Sequence, residues 1–407
     1  MNPGERRIIT YVAMAHGLAH ILELTYPVML SRIEDDFELR AVVTGAIATI
    51  FGWAFGSSAI PAGFLADRLG SRQVLVYAFG GSAVMAVLVG LSPNAWFLGA
   101  ALLGLGLTAG LYHPAGISLV AQAVRQRGIG LGFHGVAGNV GQAMAPALAI
   151  GLAALYDWRL AFFGGAALSA VLALVMATTR LNVREGAETV IVDAAEEAGD
   201  RSPKEGNRYF VPLLLVYAAF IVSGMVYRGA ITYLPKHLED FFNEDFGGAF
   251  VTVALLTGAA GQLIGGSLSQ RYRLEPLAPV ICLLTIPPLI LTGIVTGPGL
   301  VVVASAFVFF YFAAQPLWTG LIADYSPPGA IGRSYGFSFF AGFGLGGTGG
   351  IIAGVFVDVW DTQAAFLGLS AIMVGSLLIA LVLWAMAEKR RQGAGDRRQE
   401  TGAGAEV

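Results

Sequence analysis

Six ionisable side chains sit inside long apolar stretches of this sequence: His16, His20, Glu23, His113, His134 and Arg228. If those stretches cross a bilayer, each such group costs at least about 2.5–3.5 kcal/mol at the bilayer centre, so it usually faces a cavity and does chemistry there. His16, His20 and Glu23 follow one another at i, i+4 and i+7. At roughly 100° per residue they fall within an arc of about 60°, a single polar stripe along one helix. Glu23 is the only carboxylate well inside an apolar stretch, because Asp67, Asp324 and Asp358 lie at stretch ends. It could carry a proton, loading and unloading it as its access to water alternates. His16 and His20, whose ordinary titration lies near working pH, could relay that proton or bind substrate. The same stripe could instead be a hydrogen-bonded cluster that only fixes helix packing. A His-His-Glu metal site is conceivable from the ligand types, but nothing else in the chain resembles a metal carrier and no metal is expected.

Arg228 is the lone cation of the apolar stretches. A guanidinium stays charged and binds carboxylate or phosphate in a fork, which makes Arg228 a candidate anchor for an anionic substrate. Two alternatives stand beside that one: a salt bridge to Glu23, and snorkelling to the headgroups from a depth of roughly 8 Å. The first two can be one mechanism, in which Glu23 neutralises Arg228 until a proton arrives and frees the guanidinium. His113-Pro114 and Gln315-Pro316 occupy corresponding places in two further stretches. Proline inside a span frees a carbonyl and bends the helix, so Pro114 and Pro316 are candidate hinges, or ordinary kinks. His113, His134 and Gln315 are candidate substrate contacts and Tyr112 and Trp318 candidate aromatic walls, or residues that simply pack.

The elements that must position these groups are spanning helices. Of the 407 residues, 56% are apolar and 13% charged, with a mean hydropathy of +0.70; a soluble chain carries about 25% charged residues. A net charge of −3 without a basic patch argues against nucleic acid as a partner. The single cysteine, Cys282, excludes a disulfide framework. Twelve apolar runs are long enough to cross a bilayer: 8–30, 41–65, 73–92, 95–123, 128–152, 159–180, 209–233, 248–270, 277–297, 299–325, 333–357 and 362–386. The first is read as a retained helix, since no A-x-A-like cleavage site follows it. The fold class is therefore an all-α integral membrane protein of twelve transmembrane helices.

The runs divide into two halves that repeat each other. Gly63 to Arg68 lines up with Gly266 to Arg271, His113-Pro114 with Gln315-Pro316, Asp157 to Phe162 with Asp361 to Phe366, and Thr25-Tyr26-Pro27 with Thr232-Tyr233-Leu234-Pro235. A near-constant offset implies two pseudo-symmetric six-helix bundles, with the site between them. Residues 1–180 form the first bundle and 209–387 the second; 181–208 read as a flexible cytoplasmic linker and 388–407 as a disordered cytoplasmic tail. Of the 24 Lys and Arg, Arg32, Arg40, Arg159 and Lys236 fall in outer connections and Arg228 within a span, leaving 19 on the other side. That asymmetry places both termini in the cytoplasm.

Gly63-Phe64-Leu65-Ala66-Asp67-Arg68-Leu69-Gly70-Ser71-Arg72 resembles the signature loop of the major facilitator superfamily, G-x-L-a-D-r-x-G-r-k, departing at Ser71. The resemblance implies that Gly63, Asp67, Arg68, Gly70 and Arg72 form a conformational latch between the halves. Tyr112-His113-Pro114-Ala115 and Phe133-His134-Gly135-Val136-Ala137-Gly138-Asn139-Val140-Gly141 resemble the fosmidomycin-resistance-like branch, whose members carry F-H-P-E and Q-V-G-G-N-x-G. Here Ala115 replaces the acidic residue and His134 stands near the glutamine. The resemblance implies a multi-pass protein of the bacterial cytoplasmic membrane.

The class that results is a secondary active transporter working by alternating access, proton-coupled, with a weak preference for a small organic anion. The alternative is a proton-driven multidrug or antibiotic efflux pump. No phosphate-binding G-x-x-x-x-G-K-[ST] loop occurs, which excludes the familiar ATP-driven pump, and no hydrolase motif supports an enzyme. The partners expected are a small-molecule substrate, protons and the lipid bilayer, with no cofactor, and the chain is expected to act as a monomer.

Overall fold

The computed structural model describes residues 3–124, 127–179, 206–242, 244–327 and 330–402. The first half comprises α1 (Pro3–Val28), the short α2 (Leu30–Phe37), α3 (Ala41–Leu69), α4 (Ser71–Gly90), α5 (Ala95–Gly110), α6 (Tyr112–Ala123), α7 (Arg127–Ala153) and α8 (Arg159–Thr178). The second comprises α9 (Gly206–Glu239), α10 (Glu244–Arg271), α11 (Leu274–Thr292), α12 (Pro298–Tyr325), α13 (Ile331–Phe339), α14 (Gly349–Val359) and α15 (Thr362–Gly402). Among the described residues there is no strand, and twelve helical segments are long and apolar enough to cross a bilayer. Each of the twelve expected runs has its span. The pair α5–α6 makes one span, and so do α13 and α14 with the turns that join them.

Three differences from expectation have physical causes. The seventh span does not stop at residue 233 but continues through Pro235 to Glu239. The polar residues that suggested a loop are satisfied inside the protein: His237 is buried between the Thr292 carbonyl and the Thr362 hydroxyl, each 2.8 Å from a ring nitrogen. Helix α15 runs on to Gly402, so residues 388–402, expected as disordered, are helical. That stretch is rich in helix formers, and Glu388 pairs with Arg391 on its own helix and with Arg273 across a gap. Of the expected linker, residues 206–208 open α9, and 181–205 lie outside the described residues.

Two spans are interrupted where backbone geometry is re-aimed. Leu111 separates α5 from α6, placing Pro114 in the first turn of α6, where a missing N–H costs little. Pro316, its counterpart, sits inside an unbroken α12. Between α13 and α14 the chain makes a π turn over Phe340–Gly344 and then a 3-10 turn over Leu345–Thr348, the irregularity that often marks functional segments.

The two halves meet along α3 and the eleventh span. A Cβ on Gly45 would overlap the Gly350 carbonyl oxygen, one on Gly52 would lie 3.1 Å from Gly347 Cα, and one on Gly56 would overlap the Gly344 nitrogen. Small residues thus let the backbones touch. Polar bonds extend the seam: Thr49 Oγ1 donates to Gly347 O at 3.0 Å and accepts from Ile351 N–H at 3.0 Å. At its end Tyr233 Oη donates to Ala41 O, Ser31 Oγ to Glu239 Oε2, and Lys236 pairs with Glu34. At the other end of α3, by contrast, a Cβ on Gly63 would meet nothing, and Phe64 is 68% exposed. The close contacts between α3 and the opposite half thus run from the end bearing α2 to Gly56 and are not continued at Gly63.

Candidate functional site

The polar stripe of α1 faces the centre of the molecule, as its spacing requires. His16, His20 and Glu23 are all buried, and Tyr112, His113, His134, Gln142 and Arg228, from three further spans, gather around them. His20 Nδ1 donates to Glu23 Oε2 at 2.6 Å, His20 Nε2 and His16 Nε2 are 3.1 Å apart, and His16 Nδ1 donates to the His134 carbonyl at 2.7 Å. The His134 ring stacks on His16 at 3.9 Å, and His113 stands edge-on to His16 and His20 at 5.3 and 5.4 Å. Tyr112 closes the wall, its ring 5.4 Å from His16 and its hydroxyl donating to Val12 O. The nitrogens of His16, His20 and His113 converge within 4.8 Å, the kind of donor set a metal ion uses. Here two of those nitrogens hydrogen-bond each other.

Across the centre, α9 delivers Arg228. Its Nη2 lies 2.7 Å from Glu23 Oε1, both side chains being at most 6% exposed. Of the readings open for this arginine, the structure has the salt bridge, and the burial is incompatible with snorkelling. The approach is out of line for a hydrogen bond, so Arg228 Nε and Nη2 and Glu23 Oε1 have no hydrogen-bond partner among the described residues. The guanidinium carbon is instead 5.2 Å from the Phe343 ring, 5.8 Å from Phe55 and 6.0 Å from Tyr227. His113 Nε2, His134 Nε2 and the Tyr227 hydroxyl are likewise buried without partners. Unpaired buried polar atoms are costly, and the two free donors of Arg228 suit a ligand that accepts hydrogen bonds and carries negative charge.

Other expected residues lie elsewhere. Gln315 is half-buried and Trp318 buried on α12, and neither makes a described hydrogen bond, ion pair or ring contact with the cluster. In the signature loop, Gly70 has φ +84°, a conformation that favours glycine. Arg68 is exposed, and Arg72 donates to the carbonyls of Met176 at 2.9 Å and Ala177 at 2.6 Å. Both acceptors end α8 of the same half. Asp67 is in the last turn of α3, and its side chain lies outside the described residues. Sequence reasoning missed Gln142, whose amide is 3.2 Å from His20 Nδ1, together with Tyr227, Phe55 and the Phe339–Phe343 pair. Gln142 lies eight residues after His134 on one helix, a spacing that could have found it; the aromatics have no such signal.

A buried charged cluster held between two repeated six-helix halves is the architecture of a secondary transporter. The chain belongs to the Major Facilitator Superfamily, whose family model matches residues 12–348. It is a membrane transporter of small organic solutes and not an enzyme. It is 23% identical to the D-galactonate transporter of Escherichia coli O6:H1 over 94% of this chain and 96% of that one. It is 26% identical to the fosmidomycin resistance protein of Escherichia coli K12 over 86% of each. A probable L-galactonate transporter of the same strain is 23% identical, the match spanning 61% of this chain and 58% of the relative's length. In fold, the chain is similar to a bacterial homologue of the human lysosomal transporter Spinster, solved in an inward-facing, unoccupied conformation. The TM-score is 0.74 at 18% identity, over 95% of this chain and 96% of the other.

Proposed function

We propose that this chain moves a small organic anion, of the sugar-acid class, across the bacterial cytoplasmic membrane by proton-coupled alternating access. The observation that carries the reading is Arg228: buried, charge-paired with Glu23, yet with Nε and Nη2 free of hydrogen bonds. A carboxylate reaching the site could take that fork, with the coupled proton held within the Glu23–His20–His16 chain. The galactonate named in two relatives supports the same substrate class. With both termini cytoplasmic, the sealed end of α3 faces outward. The signature loop, with Asp67, Arg68 and Arg72, then acts as the latch when the outer seam is parted. A site centred on ionised groups does not favour export of a lipophilic drug.

The test is thermal stabilisation of the purified protein by sugar acids, neutral sugars and lipophilic drugs. A ligand at 100 times its dissociation constant adds about 2.7 kcal/mol, which is readily seen. Stabilisation by a sugar acid, lost in Arg228→Ala, is expected. In liposomes Glu23→Gln should lose accumulation driven by a pH gradient while substrate exchange survives. A lipophilic ligand that ignores Arg228→Ala would overturn the reading.

A further inference from the structure

The hydrogen bonds around His16 and His20 use more protons than two neutral imidazoles own. Three contacts run in series: His20 Nδ1 to Glu23 Oε2, His20 Nε2 to His16 Nε2, and His16 Nδ1 to the His134 carbonyl, at 2.6, 3.1 and 2.7 Å. A carboxylate and a carbonyl only accept, so the protons of the two end bonds sit on His20 Nδ1 and His16 Nδ1, and the Gln142 amide, 3.2 Å from His20 Nδ1, turns its oxygen rather than its NH2 group to that nitrogen. A neutral imidazole has a single N–H, and both are then used. The middle contact would bring two lone pairs together at 3.1 Å, which is repulsive unless a third proton lies between them. That proton makes the pair of rings a shared imidazolium.

The other place for the extra proton is Glu23 itself, and Arg228 argues against it. Neutralising a carboxylate 2.7 Å from a buried guanidinium would leave that cation unpaired, a strongly unfavourable state. The remaining polar groups around the pair carry no negative charge. They are the His113 ring from α6, the His134 ring and Gln142 amide from α7, and Tyr112, whose hydroxyl is spent on Val12 O. Gly138 of α7 lies so close to His16 that a Cβ there would overlap the ring, which holds the chain of bonds in line.

We propose that His16 and His20 hold the coupled proton between their Nε2 atoms, and that this proton converts the site from neutral to singly positive. Glu23 stays a carboxylate and cancels Arg228; the stored proton adds one positive charge. The loaded site therefore takes one monoanion, and proton and monoanion cross together without net movement of charge. Without the proton, the two lone pairs repel and the anion loses its counter-charge, so neither partner crosses alone. This deepens the proposed coupling and rests on that reading.

Two measurements on the full-length wild-type protein in lipid test it. The first is nitrogen-15 NMR with labelled histidine, which is tractable because the chain has five histidines. A through-hydrogen-bond coupling between ring nitrogens of two histidines is expected, with both nitrogens of one ring protonated, and the coupling should vanish in His16→Gln and in His20→Gln. Single N–H groups on both rings would overturn the stored proton. The second is uptake of D-galactonate into liposomes. A pH gradient should drive accumulation and a membrane potential alone should not; accumulation driven by potential alone would overturn the electroneutral cycle. If no sugar acid binds or moves, the proposed substrate class fails, while the histidine spectrum still decides where the proton resides.

Discussion

Asp358, at the end of α14, accepts hydrogen bonds from the backbone N–H groups of Ala41 at 2.8 Å and Val42 at 3.1 Å. It thereby caps the first turn of α3, an element of the opposite half. A helix N-terminus presents unsatisfied donors and a partial positive charge, so a carboxylate there supplies both hydrogen bonds and charge. In the proposed transport cycle the bond exists only while this seam is shut, which would make Asp358 a clasp on one state of the molecule.

Replacing Asp358 with Ala should therefore favour the state with the outer seam parted. Losing such a cap costs about 0.5–2 kcal/mol, a population shift of roughly 2- to 30-fold by the same energy. A cysteine introduced at Ala48, on the seam, should label faster from outside by a factor in that range. Arg40 also pairs with Asp358, at 3.2 Å, but is 74% exposed. Exposed pairs are worth about 0–1 kcal/mol, so Arg40→Ala should change labelling far less. Equal effects would mean that the ion pair, not the cap, closes the seam.

Glycines separate contacts between the halves from contacts within one. A Cβ on Gly56 would strike Gly344 across the seam, whereas a Cβ on Gly141 would strike Gly17 within the first half. Overpacking costs about 1–3 kcal/mol. For Gly56→Ala the molecule can relieve that cost by opening outward, so the thermal midpoint should hold while Ala48→Cys labelling rises and transport falls. Gly141→Ala has no such escape and should lower the midpoint. A large loss of stability in Gly56→Ala would show that the seam does not part.

The spans and the central charges were legible because lipid allows few alternatives: twelve apolar runs require twelve helices, and ionised residues within them must converge. The stripe of α1 and the lone cation Arg228 followed from spacing and rarity. The clasp was not legible. Glu34, Lys236 and Asp358 stand at span ends, where charges are ordinary, and only the tertiary fold pairs Glu34 with Lys236 and puts Asp358 over Ala41. Gly52 and Gly56 stand in the G-x-x-x-G spacing, with Gly45 seven residues before on the same face, so the close approach of α3 had a sequence signal, though not one that names the partner helix. The repeat was also misleading in one respect. Tyr26 and Tyr233 are equivalent in sequence and both donate to the start of α3, to Thr44 O and Ala41 O, so one bond lies within a half and the other spans the seam.

The signature loop offers a test of its expected latch. Arg72 donates two hydrogen bonds to the last carbonyls of α8, and a cation suits a helix C-terminus. In this conformation it stabilises its own half. Arg72→Ala should lower the thermal midpoint, by an amount set by charged hydrogen bonds of about 1.5–3 kcal/mol each at most. Glutamine, which keeps donors without charge, should recover part of the loss. A pure latch residue would leave the midpoint alone and change only Ala48→Cys labelling.

Tyr227 distinguishes a packing hydroxyl from one reserved for substrate. Its ring stacks on Tyr311 at 5.3 Å and lies 6.0 Å from the Arg228 guanidinium carbon, and its hydroxyl is buried without a partner. An unsatisfied buried hydroxyl destabilises the empty protein, by about 1–3 kcal/mol. Tyr227→Phe should therefore leave the empty protein as stable or more so. If the hydroxyl meets the substrate, the same change removes a hydrogen bond worth about 0.5–1.5 kcal/mol, weakening a sugar acid by roughly 2- to 13-fold. Opposite signs for stability and affinity are the expected outcome, read from thermal midpoints with and without the ligand. A fall in both would place the hydroxyl in the packing of α9 against α12.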